Sequence, residues 1–162
     1  MSFLGSVIGK FVERLPPVGF TYEEEMLGEL SFIEKPLELR RVELKFRVVV
    51  ESALKLSTER TARIEGIIDI EGLADTRPIE GSVTWRIEER RIPYVFSFTT
   101  DDGRVFTFRA QKDFSVFRVD EFVKHLEGTI YGDGPVEVAR VYLRRPFVRA
   151  LGDMAKSFHV KI

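Results

Sequence analysis

Hydrophobic residues follow two different spacings along this chain. Phe3, Leu4, Val7, Ile8, Phe11, Val12 and Leu15 recur at i, i+3, i+4 and i+7, which predicts an amphipathic helix over 1–15. Pro16 and Pro17 end it. From residue 20 the period becomes two. Phe20, Tyr22, Met26, Leu30 and Phe32 share one parity, with Gly28 among them, while Glu23, Glu25 and Glu29 take the other. Lys35-Pro36 is read as the break after this strand. Val42, Leu44, Phe46, Val48 and Val50 then alternate with Glu43, Lys45, Arg47 and Glu51, and Ala62, Ile64, Gly66, Ile68 and Ile70 alternate with Arg63, Glu65, Asp69 and Glu71. An apolar face opposite a charged face is the antiparallel pattern, because a parallel sheet covered on both sides reads as continuous apolar runs.

The second half predicts a meander. Val83, Trp85 and Ile87 alternate with polar residues, and the polar run at 88–91 suits a turn. Ile92, Tyr94, Phe96 and Phe98 follow. Asp102-Gly103 supplies the positive φ of a tight hairpin, and Phe106, Phe108 and Ala110 return. Residues 114–127 fit a short helix or a bulged strand. Gly132-Asp133-Gly134 marks a second hairpin, with 136–144 as its returning strand. Phe147, Val148, Leu151, Met154, Ala155 and Phe158 resume helical spacing over 147–158. The expected fold is one mainly β domain, 1–162. Its eight or so antiparallel strands over 20–144 close into an up-and-down, calycin- or lipocalin-like barrel, flanked by the two helices.

Composition narrows the function classes. A length of 162 residues suits a single domain. A net charge of −1 supplies no field for nucleic acid or an anionic membrane. The absence of cysteine removes thiolate metal sites, cysteine nucleophiles and disulfides, and fits a reducing cytoplasm as the expected location. The two histidines, His125 and His159, lack metal-ligand spacing, so no metal is expected. No G-x-S-x-G elbow occurs, and no catalytic residue is assigned. Lys10, Glu13 and Arg14 argue against a secretory signal, and the apolar run is too short for a transmembrane segment.

The alternating segments also carry a resemblance. FTYEEEMLGELS (20–31) places Glu24, Met26 and Gly28 at alternate positions. It is followed by RIEGIIDIEGLADTRPIEGSVTWRI (63–87), then by Tyr94-x-Phe96-x-Phe98, the Asp102-Gly103 turn, Lys112-Asp113 and Arg144-Arg145-Pro146. This series resembles a β-rich module appended to some bacterial cholesterol-oxidase-like members of the glucose–methanol–choline oxidoreductases. The resemblance covers roughly 20–150 and implies an association with lipid- or steroid-like substrates. No G-x-G-x-x-G is present, so neither a flavin cofactor nor the oxidase activity carries over.

The candidate ligand-binding residues follow from inward parity. Phe46, Trp85, Phe96, Phe98, Phe106 and Phe108 would line an apolar cavity or simply fill the barrel. Glu24 stands among inward apolar residues. As a polar anchor it would meet a ligand's hydroxyl or carboxylate, with Arg109 and Arg140 as partners. As a structural feature it would be an ion pair or a bulge residue in water. Three consecutive carboxylates favour the bulge, so Glu24 is expected in water. Arg144, Arg145 and Arg149 read as a solvated face or as an anion contact at a barrel mouth. The expected function is non-catalytic binding of an apolar small molecule such as a fatty acid or sterol. The competing expectation is an interaction module that docks on a separately encoded oxidoreductase, or that forms a homo-oligomer through 1–15.

Overall fold

A computed structural model of the chain describes residues 19–52, 59–86, 88–113, 125–145 and 159–160. The helices expected at 1–15 and 147–158 lie outside these residues. The described residues form nine strands: β1 (Phe20–Phe32), β2 (Lys35–Val50), β3 (Thr61–Ile70), β4 (Ala74–Thr84), β5 (Arg91–Thr99), β6 (Val105–Asp113), β7 (His125–Tyr131), β8 (Glu137–Arg144) and the short β9 (His159–Val160). Each of the first eight pairs antiparallel with its sequence neighbour, and β1 also pairs with β8, so these eight close into a barrel. Two boundaries differ from expectation. The first turn falls at 33–34, so Lys35 and Pro36 open β2 instead of separating two strands. The fourth strand begins at Ala74, well before Val83. Charged residues and Pro78 hide its apolar alternation in the sequence, yet Pro78 pairs with Ile67 of β3 at a level the β4–β5 ladder does not reach. A proline is tolerated where no ladder bond is needed from its nitrogen.

The register fixes the barrel's size. From Tyr22 the partners run Val48, Ile64, Gly81, Phe96, Phe108, Ile130 and Ala139, returning to β1 at Phe32, ten residues along. With standard spacings within and between strands, a stagger of ten over eight strands gives a tilt of about 40° and a radius of about 8 Å. That leaves an interior just wide enough for side chains to fill. They fill it: Phe20, Met26, Leu30, Leu44, Phe96 and Phe108 are each less than 2% exposed or just at that level, and a single apolar cluster joins all eight strands. Phe96 and Phe108 stack at 4.6 Å, and Phe98 meets Phe106 edge-on at 6.0 Å.

The two ends of the barrel differ. Short turns at 33–34, 71–73, 100–104 and 132–136 close one end. At the other lie the connections 51–60, 85–90 and 114–124, the lead into β1 and the exit from β8. Not every seam is equally long. The β4–β5 ladder runs over Glu80–Val83 against Tyr94–Ser97, with one isolated Arg86–Arg91 bridge beyond it, whereas β1 and β2 pair along their whole shared length.

Inward glycines permit tight coiling. A Cβ on Gly28 would overlap the Tyr142 carbonyl of β8 and lie 2.9 Å from the Leu143 Cα, which is backbone that cannot swing aside. Gly28→Ala is therefore expected to push β1 from β8 and cost about 1–3 kcal/mol, as overpacked cores do. Urea denaturation checks this, and an unchanged midpoint would refute the close approach.

Candidate functional site

Most of the barrel interior is apolar. At the end with the long connections, three charged side chains point inward together. Glu24 of β1 is 6% exposed and Lys112 of β6 is 3% exposed, and the side chain of Arg145, immediately after β8, is 7% exposed. Lys112 Nζ lies 3.8 Å from Glu24 Oε2, and Arg145 Nη2 lies 3.5 Å from Glu24 Oε1. Both separations are ion pairs rather than close hydrogen bonds, and Glu24 Oε2 accepts no hydrogen bond although it is buried.

Aromatic residues enclose the trio. Phe46 stands directly across from Glu24 on β2 and meets Tyr94 edge-on at 6.2 Å. Lys112 Nζ sits 5.2 Å from the centre of the Tyr94 ring, within cation–π range. Tyr22 precedes Glu24 on the same parity. These surroundings shift the titrations. Burial raises the phenols of Tyr22 and Tyr94, the Glu24 charge adds to the rise, and Arg145 opposes it. Burial pulls the Lys112 amine below the usual lysine range. Glu24 opposes that fall and Arg145 reinforces it.

The aromatic candidates occupy inward positions. Phe46, Phe96, Phe98, Phe106 and Phe108 are all buried, and Trp85 is half-buried against the core, its backbone N–H donating to the Arg60 carbonyl at 2.7 Å. Three expectations about the polar candidates need correction. Glu24 is not in water at a bulge, because β1 runs in unbroken register through residues 20–31 and carries Glu24 inside. Arg109 and Arg140 are not its partners. Each lies between two inward residues on its strand, so each faces out and is exposed. Arg140 instead donates to Thr129 Oγ1 at 3.2 Å and to Glu137 Oε2 at 2.9 Å. The true partners, Lys112 and Arg145, were visible by parity. Lys112 continues Phe106, Phe108 and Ala110, and Arg145 continues Ala139, Val141 and Leu143.

The surface offers two larger concavities. One of about 710 Å³ lies on the outer wall and includes Arg109 and Arg140. The other, about 1310 Å³, has a lining that mixes Glu24, Phe46 and Arg145 with outward Lys45, Arg47 and Glu65. Neighbours of opposite parity cannot wall one sealed chamber, so this is an open feature and not a hollow lumen. Among the described residues no group of three His, Asp or Glu side chains is placed to hold a metal, and no helix is long and apolar enough to cross a membrane. No family model, curated protein or solved structure matches the chain.

Two outcomes follow from the trio. Glu24→Gln strands two buried cations and is expected to cost about 3–5 kcal/mol in urea denaturation. A loss under about 0.5 kcal/mol, the range of exposed sites, would mean that Glu24 is solvated. The second concerns pH. The folded chain holds the Lys112 proton less tightly than the unfolded chain, so stability rises with pH from the lowered folded value towards the ordinary value of about 10.4. Above about 10 the raised tyrosines act in the opposite direction, so the rise is read below that point. Lys112→Met is expected to flatten it in urea melts across the alkaline range. An equal slope in both proteins would contradict the assignment.

Proposed function

We propose that this barrel is a non-catalytic binding protein for an apolar small molecule carrying one polar group, of the fatty-acid or sterol kind, taken at the long-connection end. The observation that supports this reading is the buried Glu24–Lys112–Arg145 trio. A barrel that served only as packing gains little from it, since replacing buried ion groups with apolar side chains of similar volume is often neutral or stabilising. A buried carboxylate oxygen without a hydrogen bond, beside Phe46 and Tyr94, is suited to meet a ligand's polar group while the rings contact its apolar body. With the interior packed, this reading puts the ligand at the rim and not along the barrel axis. A lipocalin- or calycin-like mode of binding, and the link to steroid-like substrates implied by the oxidase-module resemblance, belong to this same proposal.

A second reading has its own support. Leu37 is 95% exposed, and Ile33, Leu39 and Val136 are also exposed at the tight-turn end, where the Ile33 N–H donates to the Val138 carbonyl at 2.9 Å. Clustered exposed apolar residues suit a protein partner, such as the separately encoded oxidoreductase considered above or a second copy of this chain.

Trp85 is the only tryptophan and sits at the proposed binding end, so its emission reports occupancy. In protein stripped of lipid, micromolar fatty acid or sterol analogue is expected to shift or quench that emission. Native mass spectrometry of unstripped protein is expected to show a retained small molecule. A flat titration together with a ligand-free mass would leave the interaction module as the reading to pursue.

A further inference from the structure

We propose that Lys112 is a covalent anchor, whose amine condenses with the carbonyl of an apolar aldehyde or ketone to form an imine. This rests on the binding reading above and names the chemical class of the ligand's polar group. A lysine becomes a nucleophile when it is desolvated in an apolar pocket or set beside another cation. Lys112 meets both conditions. It is 3% exposed, the Tyr94 ring lies 5.2 Å from Nζ, and Arg145 shares Glu24 with it. Its amine is correspondingly easier to deprotonate than an exposed one.

The neighbouring acid completes the requirement. Imine formation from the neutral amine moves two protons from nitrogen to oxygen: the first turns the alkoxide formed on attack into a hydroxyl, and the second turns that hydroxyl into departing water. Glu24 Oε2, 3.8 Å from Nζ and accepting no hydrogen bond, is placed to take each proton from nitrogen and pass it to the oxygen. The nitrogen–carbon bond forms, the carbon–oxygen bond breaks, and one water leaves, so no oxidant or reductant is needed. Position also fits. Lys112 is the penultimate residue of β6, opposite Ile92, whereas the stacked Phe96–Phe108 pair lies deeper. Nζ is therefore nearer the long-connection end than that packed pair.

The test uses the full chain, stripped of lipid, with decanal and sodium cyanoborohydride, which reduces an imine and leaves the aldehyde. Peptide mapping reads the site of attachment, and decanol serves as the ligand of equal length without a carbonyl. Lys112 is expected to be labelled faster than the exposed Lys35 and Lys45, because a lowered pKa raises the fraction of neutral, nucleophilic amine. Lys112→Arg keeps a cation beside Glu24 but cannot form an imine, and is expected to lose the label. Labelling of Lys112 no faster than Lys35 and Lys45 overturns the inference even in wild-type protein. If decanol shifts Trp85 in that case, the binding reading survives and only the covalent step fails. If decanol has no effect and Lys112 is not labelled, both fail.

Discussion

The architecture depends on β1 hydrogen-bonding along both of its edges. Its whole length pairs with β2, and its second half pairs with β8, which joins the two ends of an otherwise sequential meander. Without that second pairing, β8 and β1 would be exposed edges, and unpaired edges invite association with other chains. The stagger of ten residues follows from this closure, and with it the tilt and the narrow radius. The narrow radius in turn explains why the interior is packed, and why any ligand reading must look to the rim.

Against that apolar interior, the charged trio is the local exception. Each of its members leaves water, and an ion buried in a protein is costly unless partners and hydrogen bonds compensate. Here the compensation includes ion pairs at 3.5 and 3.8 Å, while Glu24 Oε2 accepts no hydrogen bond. The aromatic shell lowers the local polarity further, so the same contacts that destabilise the charges also strengthen their mutual attraction. The downward shift of Lys112 and the upward shifts of Tyr22 and Tyr94 are separate consequences of this one environment.

Period-two alternation made most of the barrel legible in advance, because side chains of a strand must point to opposite faces. Phe96, Phe98, Phe106 and Phe108 could be placed inside from spacing alone, and Asp102-Gly103 fixed a hairpin whose glycine has a φ of 87°. Spacing was misleading at β4, where Pro78 and its charged neighbours obscure the pattern. At the site, charge and parity point to different residues. Arg109 and Arg140 match Glu24 in charge but have outward parity, whereas Lys112 and Arg145 have inward parity. The run of three carboxylates suggests a bulge at Glu24. In an alternating strand, however, Glu23 and Glu25 facing water are what leaves position 24 inside. Pairing across the seam was not legible, since nothing in a single strand records which distant strand it will meet.

The short β4–β5 ladder has a mechanical consequence. A closed barrel under thermal fluctuation behaves like a hoop, and a hoop opens at its weakest joint. The ladder across this joint runs over Glu80–Val83 and Tyr94–Ser97, with an isolated Arg86–Arg91 bridge beyond it, while the long β1–β2 joint resists the same strain along its full length. Tyr94 belongs to the weak joint and also to the shell around Lys112. Parting of β4 from β5 would loosen that shell, coupling the breathing of the hoop to the charged trio within it.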